Sequence, residues 1–207
     1  HHVRRNGITV GYCDNVYIKD SVISHVGDFD NICGTAPRSG IDIEAESGDR
    51  STNKIIMRNV TIENCDNYGI VNAGTLRNER RENLVMFTDC YFESPALQYS
   101  YLTNCTLKYM GGETQKAYAF KNCFVNKTTF LHRFSGSLWI NNSVILNSVI
   151  EGNGSGNNRL YTKGSRIENS EIKNYTSADV SHLYAGNVFG GIVNYAGTAD
   201  GQPAEIG

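Results

Sequence analysis

Apolar and polar residues alternate along this chain in short stretches, and Gly, Asn, Asp or Ser interrupts each stretch. A period of two residues is typical of β-strands, and these interrupting residues are typical of turns. Apolar residues at the helical spacing are nearly absent. The pattern therefore predicts an all-β fold made of short strands.

One phrase recurs along the chain: an Asn or Asp, then one small or apolar residue, then alternating apolar positions. Its local form is constant but its spacing is irregular, which is typical of solenoid turns with loops of different lengths. Asn and Asp tolerate unusual backbone angles at a tight corner, and stacked side chains can hydrogen-bond into a ladder. The phrase begins at Asp20, Asn59, Asp89, Asn104, Asn122, Asn142 and Asn169.

A second repeat begins with Gly-Ile at residues 7–10, 40–43 and 69–72, and these segments are predicted to be equivalent first strands. The phrase that begins with Asn or Asp is predicted to lead into third strands. Together the repeats predict a right-handed parallel β-helix with three short strands per turn, the usual hand for parallel crossovers. Second strands are expected at residues 16–18, 55–57, 84–87, 118–120 and 138–140.

The predicted solenoid covers residues 1–172 and is expected to be part of a longer one. Residues 173–207, rich in Gly, Ala and Tyr, are expected to form a terminal coil, a cap or a linker. An unrelated two-sheet β-protein is the alternative fold.

Composition excludes several classes of function. The formal net charge is −2, so no general attraction to nucleic acid is expected, and no apolar run is long enough for membrane insertion. Six cysteines occur without a C-x-x-C pair, which argues against a zinc site. Cys90, Cys105 and Cys123 follow the recurring Asn or Asp and are predicted to be free thiols packed in the core.

The segment 40–46 carries the candidate chemistry. In a strand, Ile41 and Ile43 face one side, and Asp42, Glu44 and Glu46 face the other, with neighbouring carboxylates about 7 Å apart. Like charges at such a distance raise one another's pKa, so that one carboxyl can act as an acid while another acts as a base. Glycoside hydrolysis needs such a pair, and about 6.5–9.5 Å between carboxyl groups suits the inverting route.

Two insertions, residues 25–39 and 74–83, are expected to flank the first-strand sheet and to form a groove there. Asp28 and Asp30 lie on the first insertion and are further catalytic candidates. Trp139 is either a platform for a sugar ring or a core residue. The candidate substrate-binding residues are Arg4, Arg5, Tyr99, His132 and Arg133.

Other interpretations of the carboxylate row remain open. The carboxylates could simply keep the surface soluble, or they could prevent a sheet edge from pairing with another chain. They could also form a Ca²⁺ site, since hard oxygen ligands cluster in this way. No other metal and no organic cofactor is expected.

The segments Arg5-Asn6-Gly7-Ile8-Thr9-Val10 and Ala36-Pro37-Arg38-Ser39-Gly40-Ile41-Asp42-Ile43-Glu44, followed by N-V-x-I turns, resemble those of the pectin-lyase-like right-handed β-helix proteins. Within that group the chain looks most like phage tailspikes and bacterial polysaccharide-acting proteins. Polygalacturonases show N-T-D, D-D, G-H-G and R-I-K phrases and pectate lyases show W-x-D-H, and none of these phrases occurs in this chain.

The resemblance implies a protein of the extracellular space or the virion surface that recognises a polysaccharide, and it implies a homotrimer. The first hypothesis is a glycoside hydrolase with Asp42 and Glu44 as its acid and base. A polysaccharide lyase is a second enzyme class, and a non-catalytic structural or receptor-binding β-helix is the alternative without chemistry.

Overall fold

The protein is built from β-strands, which confirms the prediction of an all-β fold with parallel strands. Every strand pair in the described part of the chain is parallel. The computed structural model describes residues 5–11, 13, 15–27, 38–43, 54–72, 84–98, 100–109, 117–133, 136–152, 158–174, 188–190 and 194–196.

One sheet of seven strands forms the first row. Its strands are not consecutive in the chain, so each pairs with a strand that follows after a crossover. The first row contains, in spatial order, β1 (Ile8–Val10), β3 (Ile41–Ile43), β5 (Ile70–Asn72), β8 (Ala96–Gln98), β11 (Ala117–Lys121), β14 (Gly136–Asn141) and β17 (Asn158–Lys163).

The second sheet consists of two rows of strands, here called the second and third rows. They meet at the long strands β2 (Val16–Val26) and β4 (Lys54–Cys65). Residues 54–58 of β4 pair with the second row, and Thr61 and Ile62 pair with the third. The second row continues with β6 (Leu84–Thr88), β9 (Ser100–Thr103), β12 (Phe124–Asn126), β15 (Val144–Leu146), β18 (Arg166–Glu168) and β20 (Val188–Gly190). The third row continues with β7 (Tyr91–Glu93), β10 (Thr106–Tyr109), β13 (Thr129–His132), β16 (Val149–Glu151), β19 (Glu171–Lys173) and β21 (Asn194–Ala196).

From β5 to β19 the chain visits the first, second and third rows in turn. Within the segment 173–207, the described strands β20 and β21 extend the second and third rows through parallel pairing with β18 and β19. The division of the chain at residue 172 stays a prediction.

The corners between rows are made by residues with positive φ. All seven phrases begin with such a residue, with φ between 48° and 56°, as expected for Asn and Asp at tight corners. The expected side-chain ladder is also present in part. Asn59 Nδ2 donates to Asp20 Oδ1 at 2.9 Å, and Asn104 Nδ2 donates to Asp89 Oδ1 at 2.6 Å.

The first-strand repeat has the predicted register. Ile8 pairs with Ile41, and Ile41 pairs with Ile70. The glycine before each isoleucine lets neighbouring segments of the first row approach closely: a Cβ on Gly40 would lie 2.5 Å from the carbonyl oxygen of Gly69.

The prediction was wrong for two later turns. Residues 118–120 and 138–140 belong to first-row strands β11 and β14, not to the second row. The phrases at Asn122 and Asn142 accordingly lead into second-row strands β12 and β15, and the third-row strands follow Lys127 and Asn147. Both corners need a positive φ followed by a small buried residue, so the same phrase serves at either corner.

The core is one continuous cluster of apolar side chains drawn from all three rows. Cys90, Cys105 and Cys123 are buried in it as free thiols, as predicted. The positions after the corners are occupied by small residues whose side chains bond to the next turn. Cys123 N, for example, donates to Ser143 Oγ at 3.1 Å, and Ser143 Oγ donates to Asn141 O at 2.9 Å.

Candidate functional site

The outward face of the first row carries Asp42, the central residue of the predicted site. Asp42 pairs in register with Thr9 on one side and Val71 on the other, as the sequence predicted. The neighbours of Asp42 in the strand, Ile41 and Ile43, belong to the core, so Asp42 lies on the opposite face of the strand. It is nevertheless only 5% exposed.

A side chain that the sequence analysis missed holds this carboxylate in place. Asn6 Nδ2 donates to Asp42 Oδ2 at 3.1 Å and lies 3.0 Å from Thr9 Oγ1. Asn6 Oδ1 accepts a hydrogen bond from the Ser39 backbone N–H at 3.1 Å, which fixes the orientation of the amide. Asn6 directly precedes Gly7 in the chain. Its role is visible only in the fold, where it contacts Asp42 although 36 positions separate the two residues in the sequence.

Six of the predicted site residues lie outside the described part of the chain. Of the five predicted catalytic carboxylates, Asp42 is the one that lies in the described part of the chain. Arg5 is also described, and it is exposed near the start of β1. The six are Glu44, Glu46, Asp28, Asp30, Arg4 and Tyr99.

His132 and Arg133 do not lie on the first-row face where the sequence analysis expected them. Strand β13 alternates so that Phe130 and His132 both face the interior, and His132 is fully buried. Arg133 follows in the third row, where its guanidinium lies 2.6 Å from Glu151 Oε1 and donates to Gly152 O at 3.1 Å. His132 therefore differs from the expectation in both row and face: β13 belongs to the third row, and a shift by one residue along a strand reverses the face.

Farther along the same outward face lies an aromatic pair. Trp139 and Tyr161 are register partners on β14 and β17, and their rings stack with centroids 4.2 Å apart and planes 9° apart. Trp139 is half-buried and is not part of the core cluster, so the core alternative is wrong, and a platform for a sugar ring stays a prediction. The column two residues farther along these strands contains Lys121, Asn141 and Lys163.

A shallow concavity of about 400 Å³ lies at the corner between the second and third rows. It combines an exposed aromatic ring with charges of both signs, and Arg58 Nε lies 3.8 Å from Asp89 Oδ2 across it. Both partners of that ion pair are well exposed, so the pair is weak. The lining residues are Tyr17, Lys19, Asp20, Arg58, Asn59 and Asp89.

Two of the thiols are poorly suited to nucleophilic chemistry. Burial raises the pKa of Cys65 to about 11, although hydrogen bonds to the backbone act in the opposite direction. Burial likewise raises the pKa of Cys123 to about 11. The thiolate is the reactive form of cysteine, so these side chains are packing groups at neutral pH.

Comparison of the chain with protein-family models and with curated proteins finds no match. Among the described residues, no group of three or more His, Cys, Asp or Glu side chains is arranged to hold a metal ion. The described ranges also contain no long apolar helix of the kind that crosses a lipid bilayer. The function is therefore inferred from the residues of the site themselves.

Proposed function

We propose that the chain winds as a right-handed parallel β-helix of the pectin-lyase-like kind. Two observations support the winding: the strand pairs are all parallel in the described ranges, and the chain passes through three rows in a fixed order. The hand follows from the strong preference of parallel crossovers for right-handed connections. The irregular phrase spacing fits turns that carry loops of unequal length.

We further propose that this β-helix binds a polysaccharide of a bacterial surface or of the extracellular space and cleaves it as a glycoside hydrolase. The observation that carries this proposal is Asp42, a nearly buried carboxylate on the outward face of a parallel sheet, held by the amide of Asn6. Carboxylates that are shielded from water and fixed by neighbours are typical of acid–base sites.

In this mechanism Asp42 acts with a second carboxyl group. Glu44 is the first candidate, because it lies two residues farther along the chain, and Glu46, Asp28 and Asp30 are the others. One group protonates the glycosidic oxygen while the other activates a water molecule on the opposite face of the sugar. A lyase would instead remove a proton from the sugar ring and leave an unsaturated product.

The test is incubation with a panel of bacterial capsular and extracellular polysaccharides, with products read by mass. Asp42→Asn and Glu44→Gln should each lower cleavage at least about 100-fold, because acid–base groups contribute about 10²- to 10⁴-fold. Asp20→Asn is the matched control, since Asp20 is an exposed acid in the side-chain ladder at a corner between rows, away from Asp42. Unchanged cleavage in both site variants would refute the acid–base assignment, and ultraviolet-absorbing products would identify a lyase.

A second candidate function is a non-catalytic structural or receptor-binding β-helix of a phage tail or cell surface. The observation that favours it is an exposed apolar row on the second-row face. Tyr17, Tyr101 and Phe124 are 56%, 46% and 38% exposed, and Tyr101 contacts Phe124 with ring centroids 6.2 Å apart. Contiguous apolar surface of this kind is typical of protein contacts. A homotrimer in sedimentation, with polysaccharide bound but not cleaved, would support this function.

A further inference from the structure

The charge on the outward face of the first row changes from one end of the row to the other. The four strands β8, β11, β14 and β17 contain Lys121, Arg159 and Lys163 and no Asp or Glu. Lys121 and Lys163 are exposed and flank Asn141 in one outward column, in register across three adjacent strands. Four strand spacings, roughly 19 Å, separate Asn141 on β14 from Asp42 on β3.

The aromatic pair lies directly beside the lysine column. Trp139 and Tyr161 precede Asn141 and Lys163 by two residues on the same strands, so all four side chains share the outward face. Stacking of the two rings holds both in place, so little conformational entropy remains to be lost when a ligand contacts them. Rigid rings with polar groups beside them are typical of ligand-contacting surfaces.

An amide oxygen at the centre of this region lacks a donor. Asn141 Oδ1 is shielded from solvent and accepts no hydrogen bond in the described structure. Leaving such an acceptor unsatisfied is unfavourable, so a ligand whose hydroxyl group donates to this oxygen, once the Asn141 side chain turns toward it, is favoured. The two neighbouring lysines in the column offer ammonium groups for an anion at the same place.

We propose that these five residues, which we call the aromatic–lysine patch, bind an anionic saccharide unit. A sugar hydroxyl donates to Asn141 Oδ1, the apolar side of the sugar packs on the aromatic pair, and a carboxylate or sulfate group pairs with the lysines. This inference rests on the proposed function and specifies its substrate class: a long acidic polysaccharide that reaches from the patch to Asp42. The patch consists of Lys121, Trp139, Asn141, Tyr161 and Lys163.

The test measures binding of acidic and neutral bacterial polysaccharides by calorimetry, with dextran as a neutral reference and polyglutamate as an acidic polymer without sugar rings. The double variant Lys121→Gln/Lys163→Gln should weaken binding of the acidic polysaccharide at least about tenfold, the value of one charge-assisted hydrogen bond. Tyr161→Leu should weaken it independently, with folding checked by circular dichroism. The control Lys19→Gln/Lys54→Gln removes two exposed lysines of second-row strands and should bind normally.

The outcomes separate this inference from the proposed function. If the protein binds and cleaves a neutral polysaccharide, or if the lysine variant binds as tightly as the parent, the patch assignment is overturned and the proposed function stands. Equal affinity for polyglutamate, unaffected by Tyr161→Leu, would reduce the patch to non-specific charge attraction and would also overturn it. If no polysaccharide binds at all, both fail together.

Discussion

At the residue scale, the small side chains after the corners connect one turn to the next. Ser143 accepts from Cys123 N and donates to Asn141 O, while its own backbone N–H donates to Ser165 Oγ at 3.3 Å. Thr128 and Ser148 repeat the arrangement at the other corner, where Thr128 N donates to Ser148 Oγ at 3.1 Å. Each buried hydroxyl thus satisfies a backbone group that no strand ladder reaches.

Removal of one such hydroxyl should be costly. Ser143→Ala leaves Cys123 N–H without its acceptor in a buried position, and the expected loss is about 1–3 kcal/mol of unfolding free energy. Urea unfolding followed by circular dichroism measures it. Ser143→Thr is the matched control, because Thr128 fills the equivalent position at another corner, and it should lose clearly less. Equal stability of the alanine variant and the parent would mean that the hydroxyl contributes nothing.

At the element scale, the outward face of the third row carries a line of ion pairs that crosses from turn to turn. Lys108 Nζ lies 2.9 Å from Glu93 Oε1, and Lys173 Nζ lies 3.4 Å from Glu151 Oε2, while Arg133 contacts the other oxygen of that carboxylate, Oε1. Burial acts to raise the pKa of Glu93, but hydrogen bonds from Asn64 N–H, Lys108 and Tyr91 outweigh it and the pKa is lowered. The hydrogen bond from Arg133 is the main cause that lowers the pKa of Glu151.

These shifts predict loss of stability in acid. A carboxyl whose pKa is lower in the folded state stabilises the fold above its unfolded value, and that contribution disappears as the pH falls through the folded value. The free energy of unfolding should therefore decrease as the pH drops below 4.5, the ordinary pKa of a glutamate side chain. Glu93→Gln and Glu151→Gln should each flatten this dependence in urea titrations at pH 7 and at lower pH. A dependence equally steep in both variants and parent would assign the effect to other groups.

The sequence predicted strands correctly where a residue type is required at one kind of position only. The Gly-Ile repeat predicted the register of β1, β3 and β5, because only glycine allows the close approach of turns at that corner. The phrase with Asn or Asp failed to separate the second row from the third, because both corners impose the same φ. Asn6 was missed because its contact with Asp42 joins residues 36 positions apart, and local spacing carries no signal for such a contact.

At the scale of the whole molecule, the continuous core joins strands that lie far apart in the rows. Ile41 near one end of the first row and Ile167 in β18 near the other end of the stack belong to the same cluster of buried side chains. Stability in stacked repeats is approximately a sum of contributions from each turn and its neighbours. If the coupling between neighbours in this core is strong, the stack is expected to unfold as a unit.

Ile41→Ala and Ile167→Ala should therefore destabilise one and the same transition, each by about 2–5 kcal/mol. Thermal unfolding followed by circular dichroism reports all strands, and fluorescence of Trp139, the single tryptophan, reports the later turns. The two signals should coincide in both variants. Ile→Val at the same positions is the control and should cost about 0.5–1.5 kcal/mol. An Ile41→Ala protein that loses strand signal before its fluorescence changes would show that the two ends unfold separately.

The contact between Asn6 and Asp42 also has a consequence for the ageing of the protein. Asn6 precedes Gly7, and an asparagine followed by glycine is prone to deamidation: the glycine nitrogen attacks the side-chain carbonyl, ammonia leaves, and water opens the cyclic imide to a carboxylate. Deamidation would replace the donor 3.1 Å from Asp42 Oδ2 with a second negative charge and would turn attraction into repulsion. A stored sample would then gain about one mass unit in its first segment, and the cleavage proposed above would decline at the rate of deamidation rather than at the rate of unfolding.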